Sequence, residues 1–217
     1  MDVKQVLDNE ADLPWSWLGL LQAQLQGEDP TAGWRGLVAT GVHTSSGVIV
    51  APAMPAAFVL QWSLEVAAEA GLYAALRLRG IHDPTSSGLT FAVEPAQGYP
   101  TRVHFRSLLS PTSTPSPTSR ASPGEDGEDG EDGEDGETLV SANQAAYRRA
   151  AVRFAESYQP GVNLGRQQRL ELVQDVWAAA VARSEGDPPP ARGSCCYIYV
   201  LPGAHECAGC PRRGRYR

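Results

Sequence analysis

No cysteine occurs in the first 194 residues of this 217-residue chain. That absence excludes a framework of disulfides spread through the body of the fold. Long apolar runs are missing as well. Residues 36–64 carry no Asp, Glu, Lys or Arg, but "ATGVHTSSG", Pro52 and Pro55 interrupt them. A membrane-spanning helix needs about 20 continuous apolar residues, so none is expected. The N-terminus, "MDVKQVLDNEADLP", mixes charges and has no apolar centre of the kind a secretory signal requires. A surplus of positive charge is also lacking. The formal net charge is −7, and "GEDGEDGEDGEDGE" alone holds nine of the 25 acidic residues, leaving 16 against 18 basic ones, a balance of +2. Nucleic-acid binding gains no support from that balance, although Arg212, Arg213, Arg215 and Arg217 make the last six residues locally basic. These absences predict a cytoplasmic protein without a transmembrane segment, in which thiols stay reduced.

What is present suits one folded unit, since 42% of the residues are hydrophobic. Asp12 is placed to cap a helix through "LPWSWLGLLQAQLQ", with Pro14 in its first turn and Gly27 and Pro30 beyond its end. A loop or short strand region is expected to follow that helix, including "SGVIVAP". In "PAAFVLQWSLEVAAEAGLYAALRLRG", Phe58, Trp62, Val66, Tyr73 and Leu76 recur at helical spacing and should line a core face. Glu65 and Glu69, four residues apart, could form a catalytic carboxylate pair, but a solvated helix face is the expected reading.

The period then shortens. "LTFAVEP" and "TRVHFRSLL" read as two strands joined by "PAQGYP". In the second, Val103 and Phe105 alternate with Arg102, His104 and Arg106. The basic face could meet an anionic partner, and a solvated strand face is the plainer expectation. "SPTSTPSPTSRAS" and the Gly-Glu-Asp repeats bury no apolar surface and repel themselves, so 110–137 reads as a disordered insertion. Val140, Tyr147, Ala151, Phe154 and Tyr158 mark a further helix, and Leu170, Val173, Trp177 and Ala180 another, before the stiff spacer "DPPP". The predicted fold is α+β and predominantly helical, with helices around a small antiparallel sheet. Residues 1–109 and 138–190 form one domain, and 191–217 form a cysteine-rich C-terminal segment containing a strand "YIYVL" and a Pro202-Gly203 turn.

All four cysteines lie in "CCYIYVLPGAHECAGC". Disulfides fit poorly, because Cα atoms of adjacent residues lie about 3.8 Å apart, below the usual window of about 4.4–6.8 Å. Four converging thiolates suit zinc or an iron–sulfur cluster. Cys207-Ala208-Gly209-Cys210 suits either, the small residues letting the backbone fold round a metal. The adjacent pair Cys195-Cys196 departs from the paired Cys-x2-4-Cys of structural zinc sites, yet spacing alone leaves both metals open. His205 is expected at the surface or behind the ligands, since four cysteines already complete a set.

The segment resembles the C-terminal motif of the FhuF family of ferric siderophore reductases, Cys-Cys-x10-Cys-x2-Cys, which holds a [2Fe–2S] cluster. Cys195, Cys196, Cys207 and Cys210 fill the four positions, "YVLPG" is similar to the intervening text, and "APAMPAAFVLQW" looks like the family's middle region. The resemblance implies that these four cysteines ligate a [2Fe–2S] cluster. It further implies an oxidoreductase that reduces ferric siderophore iron to Fe(II) by one-electron transfer and so releases it. A ferric siderophore and an electron donor such as a ferredoxin or flavodoxin would be the partners. The alternative is an electron-transfer or zinc-binding module without a substrate site of its own. The chain departs from the family in its short length, its acidic insertion, and the alanines that follow Trp177 where many members carry an Asn.

Overall fold

Ala53–Arg77 is a 25-residue helix, here α3, and alanine dominates its buried positions. Alanine has the highest helix propensity and lets neighbouring helices approach closely. Ala56, Ala57, Ala67, Ala68, Ala70, Ala74 and Ala75 are all buried, together with Val59, Leu60, Leu64 and Val66. The computed structural model describes residues 13–110, 132–201, 203–207 and 209–213. Around α3 lie α1 (Trp17–Leu25), α2 (Ala32–Ser46), α4 (Asp132–Ser157) and α5 (Arg166–Glu185). Its most extensive packing is against α4 and α5. No helix among the described residues is long and apolar enough to cross a membrane.

Three strands, β1 (Trp15–Ser16), β2 (Thr90–Val93) and β3 (Pro100–His104), form an antiparallel sheet in the order β1-β2-β3. Phe91 pairs with Trp15 on one side and Val103 on the other, and a register shift falls between Ala92 and Val93. The α+β, mainly helical class is therefore as the sequence predicts, and so are the two principal strands.

Large side chains fasten the layers through their polar ends. Trp17 donates its indole N–H to the Ser63 carbonyl at 2.8 Å, a group on α3. Tyr147 and Tyr158 donate to the carbonyls of Val173 and Ala56, both at 3.0 Å. Each aromatic thus buries its ring without stranding its donor.

Several sequence expectations are corrected. Asp12 lies outside the described residues, and Ser16 caps α1, its Oγ accepting from the Gly19 amide at 3.2 Å. Pro14 precedes β1 instead of entering a helical turn. Most of the expected loop before α3 is the helix α2, despite its glycines and β-branched residues. Gly41 explains part of that composition, since a Cβ there would sit 2.5 Å from the Ala96 carbonyl oxygen. Leu76, expected in the core, is 45% exposed. Residues 111–131, most of the expected insertion, lie outside the described residues, and α4 takes up 132–137.

His82 ties the start of the sheet region to α4. Its backbone N–H donates to Asn143 Oδ1 at 2.8 Å, and its Nε2 lies 2.8 Å from Ser87 Oγ. Its Nδ1 is buried without a hydrogen-bond partner among the described residues. Burial pushes the imidazole down to about 4, opposed by the nearby Asp83 charge. The unfolded chain therefore takes up a proton first, and the stability of the neutral ring is complete above the usual histidine value and is lost as pH falls from about 6.5 towards 4. Unfolding free energy measured in urea should drop by about 2–3 kcal/mol more between pH 7 and pH 4.5 in the parent than in His82→Gln. Equal drops would show that the ring is not held neutral.

Candidate metal centre

A buried carboxylate on α5 fastens the start of the cysteine segment to the helical body. Asp175, on α5, is 9% exposed. Its Oδ1 accepts from the Gly193 amide at 2.9 Å, and its Oδ2 accepts from the Ser194 amide at 2.8 Å and from the Ser194 hydroxyl. These bonds turn the chain into Cys195. Two turns earlier on α5, Gln168 donates to the Cys195 carbonyl at 2.8 Å and accepts from the Tyr197 hydroxyl at 3.0 Å. Tyr197 adopts a left-handed backbone conformation, φ 62°, as the chain reverses. The expected strand there is instead a 3₁₀ turn, Ile198–Val200. Of the expected Pro202-Gly203 turn, Pro202 lies outside the described residues, and Gly203 has φ 72°.

All four cysteines are free thiols, with Cys196 and Cys210 buried. The Sγ atoms of Cys196 and Cys207 are 4.0 Å apart, close to the separation of roughly 3.8 Å expected for two thiolates on one tetrahedral metal with bonds of about 2.3 Å. The Tyr197 amide approaches Cys195 Sγ at 3.5 Å. Burial raises the Cys195 thiol, and the nearby sulfurs of Cys196 and Cys210 raise it further, against the pull of Arg212. Cys207 is pushed up to about 11 by burial first and then by Cys196, with Arg192 opposing. Thiols that hinder one another's ionisation in this way are the set a multivalent cation would relieve.

The loop between Cys207 and Cys210 is drawn tight by the Cys210 amide, which donates to the Cys207 carbonyl at 2.9 Å, and by the Arg192 amide, which donates to the Gly209 carbonyl at 2.8 Å. A Cβ on Gly209 would collide with the Pro190 carbonyl oxygen. Ala208 lies outside the described residues. His205 is exposed, in line with a surface position.

Sequence reasoning missed two features. The first is Asp175, whose only signal is a carboxylate two residues before Trp177 on the apolar face of α5. The second is a cavity of about 180 Å³ beside Cys207, lined also by Gln61, Glu65, Arg183, Arg192 and Gly209. The expected solvated face is corrected here. Glu65 and Glu69 are 20% and 17% exposed, and Arg183 forks between them, 2.5 Å from Glu69 and 3.7 Å from Glu65. Burial raises the Glu65 carboxyl above its ordinary value, and Arg183 offsets part of that rise.

Among the described residues no three His, Cys, Asp or Glu side chains converge as a single-ion site requires. A two-iron cluster asks for two ligands at each iron, and the Cys196–Cys207 pair has that separation. The donor set of four thiols, the side-chain-free Gly209 loop and a buried, unspent N–H on Arg192 fit such a cluster. Residues 192–212 match the family model described as FhuF 2Fe-2S C-terminal domain. No curated protein and no solved structure matches the chain. The family match supports a [2Fe–2S] cluster and an iron–sulfur protein of the FhuF type.

Proposed function

We propose that the protein is a cytoplasmic ferric siderophore reductase, with Cys195, Cys196, Cys207 and Cys210 holding its cluster. The observation that carries the reading is the cavity, lined in part by Glu65 and Arg183, that opens beside Cys207, one of the four thiols. When bound, a [2Fe–2S] cluster supplies single electrons, and one electron converts Fe(III), held by hard oxygen donors, to the larger and softer Fe(II), which they hold far more weakly.

The chain's own residues bring the two together. Asp175 and Gln168 fix the backbone on either side of Cys195. Gln61, Glu65 and Arg183 offer a donor-and-acceptor wall against which one edge of a chelate can rest near Cys207. Arg212, half-buried and stacked 4.2 Å from the Tyr199 ring centroid, adds a cation to the segment that an acidic electron donor such as a ferredoxin or flavodoxin would meet.

The test is turnover. Anaerobically purified protein, reduced by such a carrier, should release Fe(II) from a ferric trihydroxamate to a ferrous chelator, one Fe(II) per electron delivered. Protein that carries a full cluster but releases no iron from any ferric siderophore would leave an electron-transfer module in place of an enzyme.

A further inference from the structure

Arg192 occupies an unusual position for a guanidinium. Its side chain is 13% exposed, and it lines the cavity together with Cys207 and Gly209. One terminal nitrogen donates to Gln61 Oε1 at 3.0 Å and to Ser194 Oγ at 3.3 Å. Its Nε lies 3.7 Å from Asp175 Oδ2, too far for a hydrogen bond, and is buried without a partner among the described residues. A charged donor left unspent in the interior is costly unless something accepts from it. Its own amide is bonded to the Gly209 carbonyl inside the Cys207–Cys210 loop, which fixes its backbone against that loop.

We infer that Arg192 sets the reduction potential of the cluster, with Asp175, Gln61 and Ser194 clamping its guanidinium beside Cys207 and leaving Nε–H to face the sulfur ligands. Reduction adds one electron, and with it one negative charge, to an already anionic group. A fixed cation and an N–H donor both favour the reduced form more than the oxidised form. Because the cation is largely buried, dissolved salt screens it little. Arg213, by contrast, is exposed, so any contribution it makes should fade as salt rises. Arg192 is thus a tuning residue that acts through the cluster.

The proposal rests on the cluster and not on the siderophore, so a loaded protein that reduces no siderophore leaves it standing. The experiment is a redox titration, followed by visible absorbance and EPR, of loaded parent, Arg192→Gln, Arg192→Lys and Arg213→Gln at low and high salt. Arg192→Gln should change the reduced-to-oxidised ratio at fixed potential at least tenfold, a fall of about 59 mV for one electron. That fall should persist in high salt. Arg192→Lys keeps the charge but loses the planar fork, so its potential should lie between the two. A loaded Arg192→Gln with the parent potential overturns the proposal. Should that variant fail to load, Arg192→Lys decides. A potential below the parent's upholds the proposal, and the parent's potential or failure of this variant to load overturns it.

Discussion

Protein purified without oxygen should be red-brown and carry about two irons and two acid-labile sulfides per chain, and Cys207→Ser should abolish most of that content. Cys207 is the most exacting place to test the assignment. Its sulfur faces Cys196 at 4.0 Å and lines the cavity. Burial pushes its thiol up to about 11, so at neutral pH it is protonated until a metal displaces the proton. A serine hydroxyl is less acidic still, and its oxygen is a harder and poorer donor to an iron–sulfide centre. The hydroxyl is smaller than the thiol and sits outside the packed helices, so far-UV circular dichroism should be unchanged. Stoichiometric zinc without labile sulfide in the parent would sink the assignment, as would a Cys207→Ser protein with full iron and sulfide.

The second large effect is expected at a residue that ligates nothing. Asp175→Ala should make the cluster far easier to lose on heating while leaving the helices folded. Its carboxylate satisfies the amides of Gly193 and Ser194 and the Ser194 hydroxyl, and it is the counter-charge nearest the Arg192 Nε. Removing it leaves the Gly193 and Ser194 donors without their acceptor and the buried Arg192 cation without its nearest counter-charge, a cost of about 3–5 kcal/mol. That cost falls on the turn leading into Cys195 and not on the α3–α4–α5 core, because local opening is cheaper than global unfolding. Cluster absorbance should therefore be lost well below the helical melting temperature in the Ala variant. Asp175→Asn, which keeps one accepting oxygen, should fall between. If the Ala variant bleaches at the parent's temperature, Asp175 is not the fastening.

The cysteine spacing is legible because it is local and chemically narrow. Four thiols at fixed separations restrict the metals that fit, and no tertiary context is needed to see them. The amphipathic helices α4 and α5 are legible for a similar reason, since Tyr147, Phe154, Val173 and Trp177 repeat at the helical period and are all buried. The helix α2 is hidden because Gly33, Gly36 and Gly41 lower its propensity, while what holds it, Trp34 donating to the Gly98 carbonyl at 2.5 Å, spans 64 residues of sequence. The fork of Arg183 between Glu65 and Glu69 is hidden too. Four-residue spacing puts two carboxylates on one face, but only the packing of α5 against α3 decides that the face is covered. Asp175 illustrates the same limit, for a charged residue beside an apolar stripe has no local signature of the amides it will receive.

The attachment of the cysteine segment rests on a few side chains, Gln168 and Asp175 from α5 and Gln61 from α3, whereas the aromatic anchors Trp17, Tyr147 and Tyr158 bond only within the helical body. The body can therefore reach its final form before any iron arrives. Metal-starved chains would stand as a folded reserve, and the appearance of active protein would follow the supply of iron and sulfide with no folding delay. Damage to the centre would likewise be repairable in place, since losing the metal need not cost the scaffold that received it.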